Sequence, residues 1–343
     1  MLELILVLIT IIWLFFASGF DIKTREIPDW LSYSLLIIAI VFHCILYLSE
    51  SIYPNLKYLQ VILALFILGS IIYHYENEKV EIKSYIFLII SSIIYFLINS
   101  IVGSSDFLLY TVSGMLIFFV IGEIMFLTKQ WGGGDAKLLT GLGAVFATYP
   151  SYLMLYFQPN LNFPFLFILF INILIAGALY GIVWTFVLAI KNKKEFLINL
   201  KQILHLKKMR IAETGIFTVT ISLLLVVFVL ITDLRMKLIV MVLVIIPMFF
   251  MYIFIITKAI EKISFIKTIP ISQLTEGDWI TQDIIYKNKK IYSKKSLFVT
   301  QKQIDLFKKL KIKTVVIKEG IPFVPSFLIG VLLSLILGNI IYF

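Results

Sequence analysis

The sequence predicts an α-helical polytopic membrane protein with about ten transmembrane helices and a small α+β cytosolic domain before the last helix. Hydrophobic residues make up 61% of the 343-residue chain and charged residues 15%, with a mean hydropathy of +1.02. Ordinary soluble proteins are roughly half apolar and about a quarter charged. Apolar runs recur at lengths close to the roughly 20 residues that one helix needs to cross a bilayer.

The predicted spans follow one another along almost the whole chain. They lie at approximately 2–20, 28–48, 58–74, 84–103, 107–128, 138–157, 162–190, 214–232, 238–257 and 323–343. The run at 138–157 is the weakest, because Pro150 interrupts it and two glycines loosen its start. If it did not cross, the later basic segments would fall on the opposite side of the membrane, so we predict that it crosses.

The basic residues indicate the orientation of these spans. With the N-terminus placed outside, 27 of the 30 Lys and Arg residues fall in loops on the inner side. Because Lys and Arg accumulate in cytoplasmic loops, this count predicts a multi-pass plasma membrane protein with an external N-terminus. The formal net charge of +10 is then explained by the basic residues of the cytoplasmic loops. It gives no reason to expect nucleic acid as a partner. Membrane lipids are the surrounding partner.

Four regions are predicted. Residues 1–157 form a catalytic membrane domain, and residues 158–261 add further helices with a basic cytosolic loop at 191–210. Residues 262–320 form the small basic α+β domain, and residues 321–343 the C-terminal transmembrane helix.

The α+β domain has a readable local pattern. Strands are predicted over 278–286, 291–299 and 314–318, with a helix over 301–310. Thr300 followed by Gln303 has the spacing of a capping box, which supports the start of that helix.

Two carboxylates stand out at the predicted cytoplasmic boundary. Asp21 closes the first span, and Asp135 follows Gly132, Gly133 and Gly134 where the sixth span begins. The two aspartates are 114 residues apart in sequence but at matching predicted membrane depth. Glycines allow positive φ and a close approach to a neighbouring chain or a substrate. The alternative is a flexible hinge followed by an aspartate that only caps the next helix.

The two motifs together resemble the signature of the prepilin peptidases, membrane aspartic proteases of the GxGD type. The first motif is Asp21 followed by Arg25, Ile27 and Pro28, and the second is Gly-Gly-Gly-Asp-Ala-Lys ending at Lys137. The resemblance is strongest over residues 1–150, and the C-terminal region looks like that of the larger archaeal members.

This resemblance implies that Asp21 and Asp135 are catalytic, with Gly132, Gly133, Gly134 and Lys137 forming the active-site loop. It implies cleavage of the leader peptides of type IV pilin-like or preflagellin precursors at the cytoplasmic membrane boundary. Two neighbouring carboxylates share a proton, so one activates a water while the other donates to the scissile carbonyl. No metal or organic cofactor is needed for this chemistry. The sequence does not distinguish the base from the acid, or a pilin from a flagellin client.

Other acidic residues have two interpretations each. Glu26 and Asp29 could attract a basic leader peptide or could be solvated loop charges. Glu123 lies inside the fifth span, where a carboxylate is a functional hypothesis by default, but it could also pair with Lys129.

The main alternative function is an ion or solute transporter with a broken-helix site at the Gly-Gly-Gly-Asp segment. That class of protein predicts a second, similar break in the other half of the chain, and the sequence has none. A non-catalytic membrane scaffold would leave the paired motifs unexplained.

Overall fold

The computed structural model describes residues 2–50, 54–76, 82–102, 107–287, 289–294, 296 and 298–342. Twelve α-helices and five short strands lie within these residues. The helices are α1 Leu2–Thr24, α2 Asp29–Glu50, α3 Pro54–Glu76, α4 Ile82–Val102, α5 Phe107–Leu127, α6 Gly133–Val145, α7 Phe165–Lys191, α8 Lys193–His205, α9 Lys207–Leu230, α10 Leu234–Ile260, α11 Gln301–Lys309 and α12 Val324–Ile336.

Among the described residues, eight helices are long and apolar enough to cross a membrane. They are α1 to α5, α7, α9 and α10. This architecture confirms the predicted fold class of a polytopic helical membrane protein with a small sheet region before the last helix.

The predicted sixth span differs from the other spans in form. Helix α6 has only 13 residues and ends at Val145, and a single 3₁₀ turn follows Pro150. Pro150 lacks the N–H that a helix running through that position needs, so it interrupts any single helix over the predicted 138–157. The segment still runs the length of α1, because Gly134 lies against Ile27 and the Ser151 N–H donates to the Glu3 carboxylate at 3.1 Å.

Small residues hold α6 at the centre of the bundle. A Cβ atom added to Gly143 would overlap the backbone of Gly114 on α5, so only glycine permits this crossing. The last helix, α12, also has 13 residues and packs against α1 and α7. The Tyr149 hydroxyl donates to the carbonyl of Leu335 at 2.8 Å and ties the end of α12 to the segment after α6.

The α9–α10 pair lies at the periphery. Only 11% of the α9 apolar window and 6% of the α10 window are buried by protein, against 50% in α2 and in α5. Helix α8 precedes the pair and has no buried residue. These helices therefore present most of their apolar surface to the bilayer.

The α+β unit lies between α10 and α12. Its strands are β1 Ile266–Pro270, β2 Trp279–Ile280, β3 Ile284–Tyr286, β4 Lys289–Tyr292 and β5 Thr314–Lys318. Antiparallel pairs form a three-stranded sheet in the order β1–β5–β2 and a separate β3–β4 hairpin.

The predictions of the helix and of the last strand of this unit are confirmed. The single strand predicted over 278–286 is wrong, because β2 pairs with β5 and β3 pairs with β4, so the chain turns between them. Helix α11 begins after Thr300, whose N–H donates to the Gln303 side chain at 3.0 Å, as the capping-box spacing predicts. Strand β5 has the predicted bounds, whereas β4 ends at Tyr292 and is shorter than the strand predicted over 291–299.

Candidate active site

Asp21 lies in the last turn of α1 and is only 6% exposed. Its Oδ2 atom accepts a hydrogen bond of 2.8 Å from the backbone N–H of Val324, the first residue of α12. The first N–H groups of a helix have no partner within the helix and favour negative charge. The Asp21 carboxylate therefore caps the N-terminus of α12, which lies 303 residues later in the chain.

The loop after α1 brings the first motif against the second. Arg25 has a left-handed backbone with φ of 63°, which turns the chain away from α1. Pro28 then opens α2, its carbonyl accepting the N–H of Leu31 at 2.9 Å. Between these residues, Ile27 packs on Gly134, where an added Cβ would lie 3.1 Å from the Ile27 side chain.

The three glycines before Asp135 lie where the second motif approaches Ile27. Within the run, Gly132 is extended, with φ of −73° and ψ of 162°, and none of the three glycines has a positive φ. The expectation that these glycines supply positive φ is therefore wrong here, and Gly134 matters because a side chain there would press on Ile27 and require it to shift.

Asp135 sits in the first turn of α6 and is partly exposed. Its Oδ2 atom accepts the N–H of Gly132 at 3.0 Å, which fixes the carboxylate at the start of the helix. The carboxylate of Asp21 acts on it electrostatically. The structure thus brings together the two aspartates that the sequence placed at one membrane depth.

Lys137 links the two motifs a second time. Its Nζ atom lies 2.5 Å from the Asp29 carboxylate and 4.7 Å from the centre of the Tyr33 ring. Asp29 is thus the partner of Lys137. The same contact explains why a lysine two residues after Asp135 is held in place even though it bonds to neither aspartate of the pair.

Glu123 is part of a buried polar cluster on the neighbouring helices. It accepts a hydrogen bond from the Tyr85 hydroxyl at 2.9 Å and lies 3.3 Å from His74 Nε2. The pairing with Lys129 that the sequence suggested is wrong, because the Lys129 ammonium donates to the carbonyl of Ser296 at 2.7 Å. Sequence spacing missed His74 because it comes from a different helix.

The α+β unit rests on both loops of the site. The Thr275 hydroxyl donates to the Glu26 carboxylate at 2.7 Å, beside the first motif. Next to the second motif, the rings of Phe126 and Phe298 are 5.6 Å apart. The unit therefore contacts the end of the bundle where the two aspartates lie.

Aromatic side chains close the space between α6, α7 and α12. Trp131 stands 5.1 Å from Phe323 and 5.4 Å from Phe327, measured between ring centres. Phe323 also contacts Gly177 on α7 so closely that a side chain there would collide with its ring. The site thus draws on residues beyond the predicted catalytic region 1–157.

A metal site would need several His, Cys, Asp or Glu side chains close together. Across the part of the chain that the structure describes, no three His, Cys, Asp or Glu side chains are grouped closely enough to hold a metal ion.

A family model described as the type IV leader peptidase family matches residues 8–78 and 76–182, which together make up just over half of the chain. The chain belongs to the type IV leader peptidase family. Both Asp21 and Asp135 lie within the matched residues. The resemblance inferred from the paired motifs is confirmed, and membership does not support the transporter alternative.

One curated relative extends the comparison. The preflagellin peptidase of Methanococcus maripaludis (strain C6 / ATCC BAA-1332) is 37% identical over 89 residues. The match covers 25% of this chain and 36% of the relative, so about a third of the relative's length is compared. No solved structure matches the chain. In the present chain, the α+β unit and α12 lie outside the residues that the family model matches.

Proposed function

We propose that this chain is a membrane aspartic endopeptidase that removes leader peptides from type IV pilin-like or preflagellin precursors. The observation that carries the proposal is the contact between Ile27 and Gly134, which joins two motifs distant in sequence. It sets the carboxylates of Asp21 and Asp135 within electrostatic range of each other. A pair of this kind is what general acid–base cleavage of a peptide bond requires.

The pair can supply both halves of the reaction. Two neighbouring carboxylates do not readily ionise together, so one proton is shared between Asp21 and Asp135. The ionised member takes a proton from a water that attacks the scissile carbonyl. The protonated member donates its proton to the carbonyl oxygen. When the tetrahedral intermediate collapses, the member that took the proton from water gives it to the leaving amine, and the other member recovers its proton from the gem-diol hydroxyl. Backbone N–H groups of Val324 and Gly132 hold one oxygen of each carboxylate in place.

The location of the pair fits a substrate that stays in the membrane. Asp21 is at the end of α1 and Asp135 at the start of α6, so both lie at one end of the helical bundle. The concentration of Lys and Arg in loops at this end supports a cytoplasmic orientation in the plasma membrane. The hydrophobic helix of a precursor can remain in the bilayer while its polar leader enters the site from the aqueous side.

Cleavage in cells tests the proposal. The chain is co-expressed with a type IV pilin-like precursor, and the new N-terminus of the product is followed by mass spectrometry. Asp21→Asn and Asp135→Asn should each lower processing by at least about 1000-fold, because removing one member disables the pair. Asp233→Asn is the matched control, because Asp233 caps the peripheral helix α10. Full processing by either Asp21→Asn or Asp135→Asn would contradict the mechanism.

A further inference from the structure

Three buried polar atoms near Asp21 have no hydrogen-bond partner among the described residues. They are Nη1 of Arg25, the hydroxyl of Tyr180 and Nε1 of Trp184. Buried polar groups in native proteins are nearly always hydrogen-bonded, because leaving one unpaired costs free energy. Three such groups on neighbouring side chains can therefore donate to a ligand.

The three side chains are neighbours beside the first motif. Tyr180 and Trp184 are one turn apart on α7, and their rings stack with centres 5.8 Å apart. The Arg25 guanidinium lies 5.2 Å from the centre of the Trp184 ring. The Arg25 N–H donates to the backbone carbonyl of Asp21 at 3.0 Å, so the cluster lies at the same end of α1 as the Asp21 carboxylate.

The charge at this place selects the kind of acceptor. Indole and guanidinium nitrogens only donate, so two of the three groups require a ligand that offers oxygen lone pairs. An anionic ligand would lie beside the Asp21 carboxylate, and like charges at close range repel. A neutral carbonyl oxygen avoids this repulsion. An extended peptide offers such oxygens along its backbone whatever its side chains are.

We propose that Arg25, Tyr180 and Trp184 form a subsite for backbone carbonyl oxygens of the precursor segment next to the scissile bond. This inference rests on the proposed endopeptidase function. The subsite holds the substrate strand against Asp21 and takes no part in proton transfer. Its residues are therefore positioning residues, and α7 contributes to substrate binding as well as to the framework of the bundle.

The test uses two variants that each remove a donor: Tyr180→Phe keeps the phenyl ring, and Trp184→Phe replaces the indole with a smaller aromatic ring. Tyr180→Phe and Trp184→Phe should each raise the KM for a purified precursor by about 3- to 10-fold, the effect of one hydrogen bond, with kcat within about twofold. Thermal stability of the detergent-solubilised Tyr180→Phe protein should be unchanged or raised, because only an unpaired hydroxyl is lost. Tyr252→Phe, on the peripheral helix α10, is the matched control and should change neither the KM nor the kcat.

The outcomes separate the alternatives. An unchanged KM in both variants, with an active wild type, would overturn the subsite and leave the proposed function standing. Reduced stability with unchanged KM would show a purely structural role and overturn it as well. If the KM effect disappeared on a precursor whose acidic residues are replaced by amides, the ligand would be a carboxylate and the carbonyl assignment would be wrong. A wild-type chain that cleaves no precursor would overturn the proposed function and the subsite together.

Discussion

The helices around the two aspartates and the α9–α10 pair have similar compositions but very different surroundings. Protein buries 50% of the apolar window in α2 and in α5, but only 11% in α9 and 6% in α10. Around the site, glycines bring backbones into contact, and hydrogen bonds join residues more than 100 positions apart. Apolar length is therefore enough to make a membrane helix, whereas close contact between helices is needed in the region that holds reactive groups in place.

One substitution made in both regions should give the largest difference between them. Gly134→Val should lower precursor cleavage by about 100-fold, because a valine there would overlap the Ile27 side chain and separate the two motifs. Displacing a reactive group by about 1 Å can cost a factor of this size. Initial rates of cleavage in reconstituted membranes measure the effect.

Gly215→Val on α9 is the matched change in the peripheral pair. Nothing lies within 4 Å of a Cβ added at Gly215, so cleavage should stay within about twofold of the wild type. If both glycine variants lost activity equally, the distinction between the two regions would be wrong.

A shared proton predicts a pH dependence that comes from the site alone. Because catalysis needs one of Asp21 and Asp135 ionised and the other protonated, kcat/KM should fall in acid, where both are protonated. It should also fall in alkali, where both are ionised. Each limb should approach about tenfold per pH unit, and the Gly215→Val protein should keep the same profile. A profile that stays flat where thermal stability is constant would rule out the shared proton.

A smaller effect is expected from the ion pair that links the motifs. Lys137→Gln should lower cleavage by about 2- to 5-fold, because the Asp29 carboxylate is 63% exposed and such pairs contribute little. Asp29→Asn should have a similar effect, and the double variant should be no worse than either single change. Additive losses would show that Lys137 acts on something other than Asp29.

Apolar length and loop charge were sufficient to predict that Asp21 and Asp135 lie at one end of the bundle. The sequence was also sufficient for α11, whose cap is encoded within four residues. The N–H of Val324 on Asp21 could not be found this way, because it depends on how the last helix returns to the first. Glu123 shows the same limit, since its partner His74 is on another helix.

If the two motifs form one site, cysteines placed in both of them should form a disulfide. The Cβ positions of Ile27 and Gly134 are 3.1 Å apart, close to the about 3.5–4.5 Å found in disulfides. The Ile27→Cys/Gly134→Cys protein, with the native Cys44 changed to Ser, should cross-link on mild oxidation in membranes. Ile27→Cys paired with Gly215→Cys should not. Two reactive but unlinked cysteines at 27 and 134 would contradict the account.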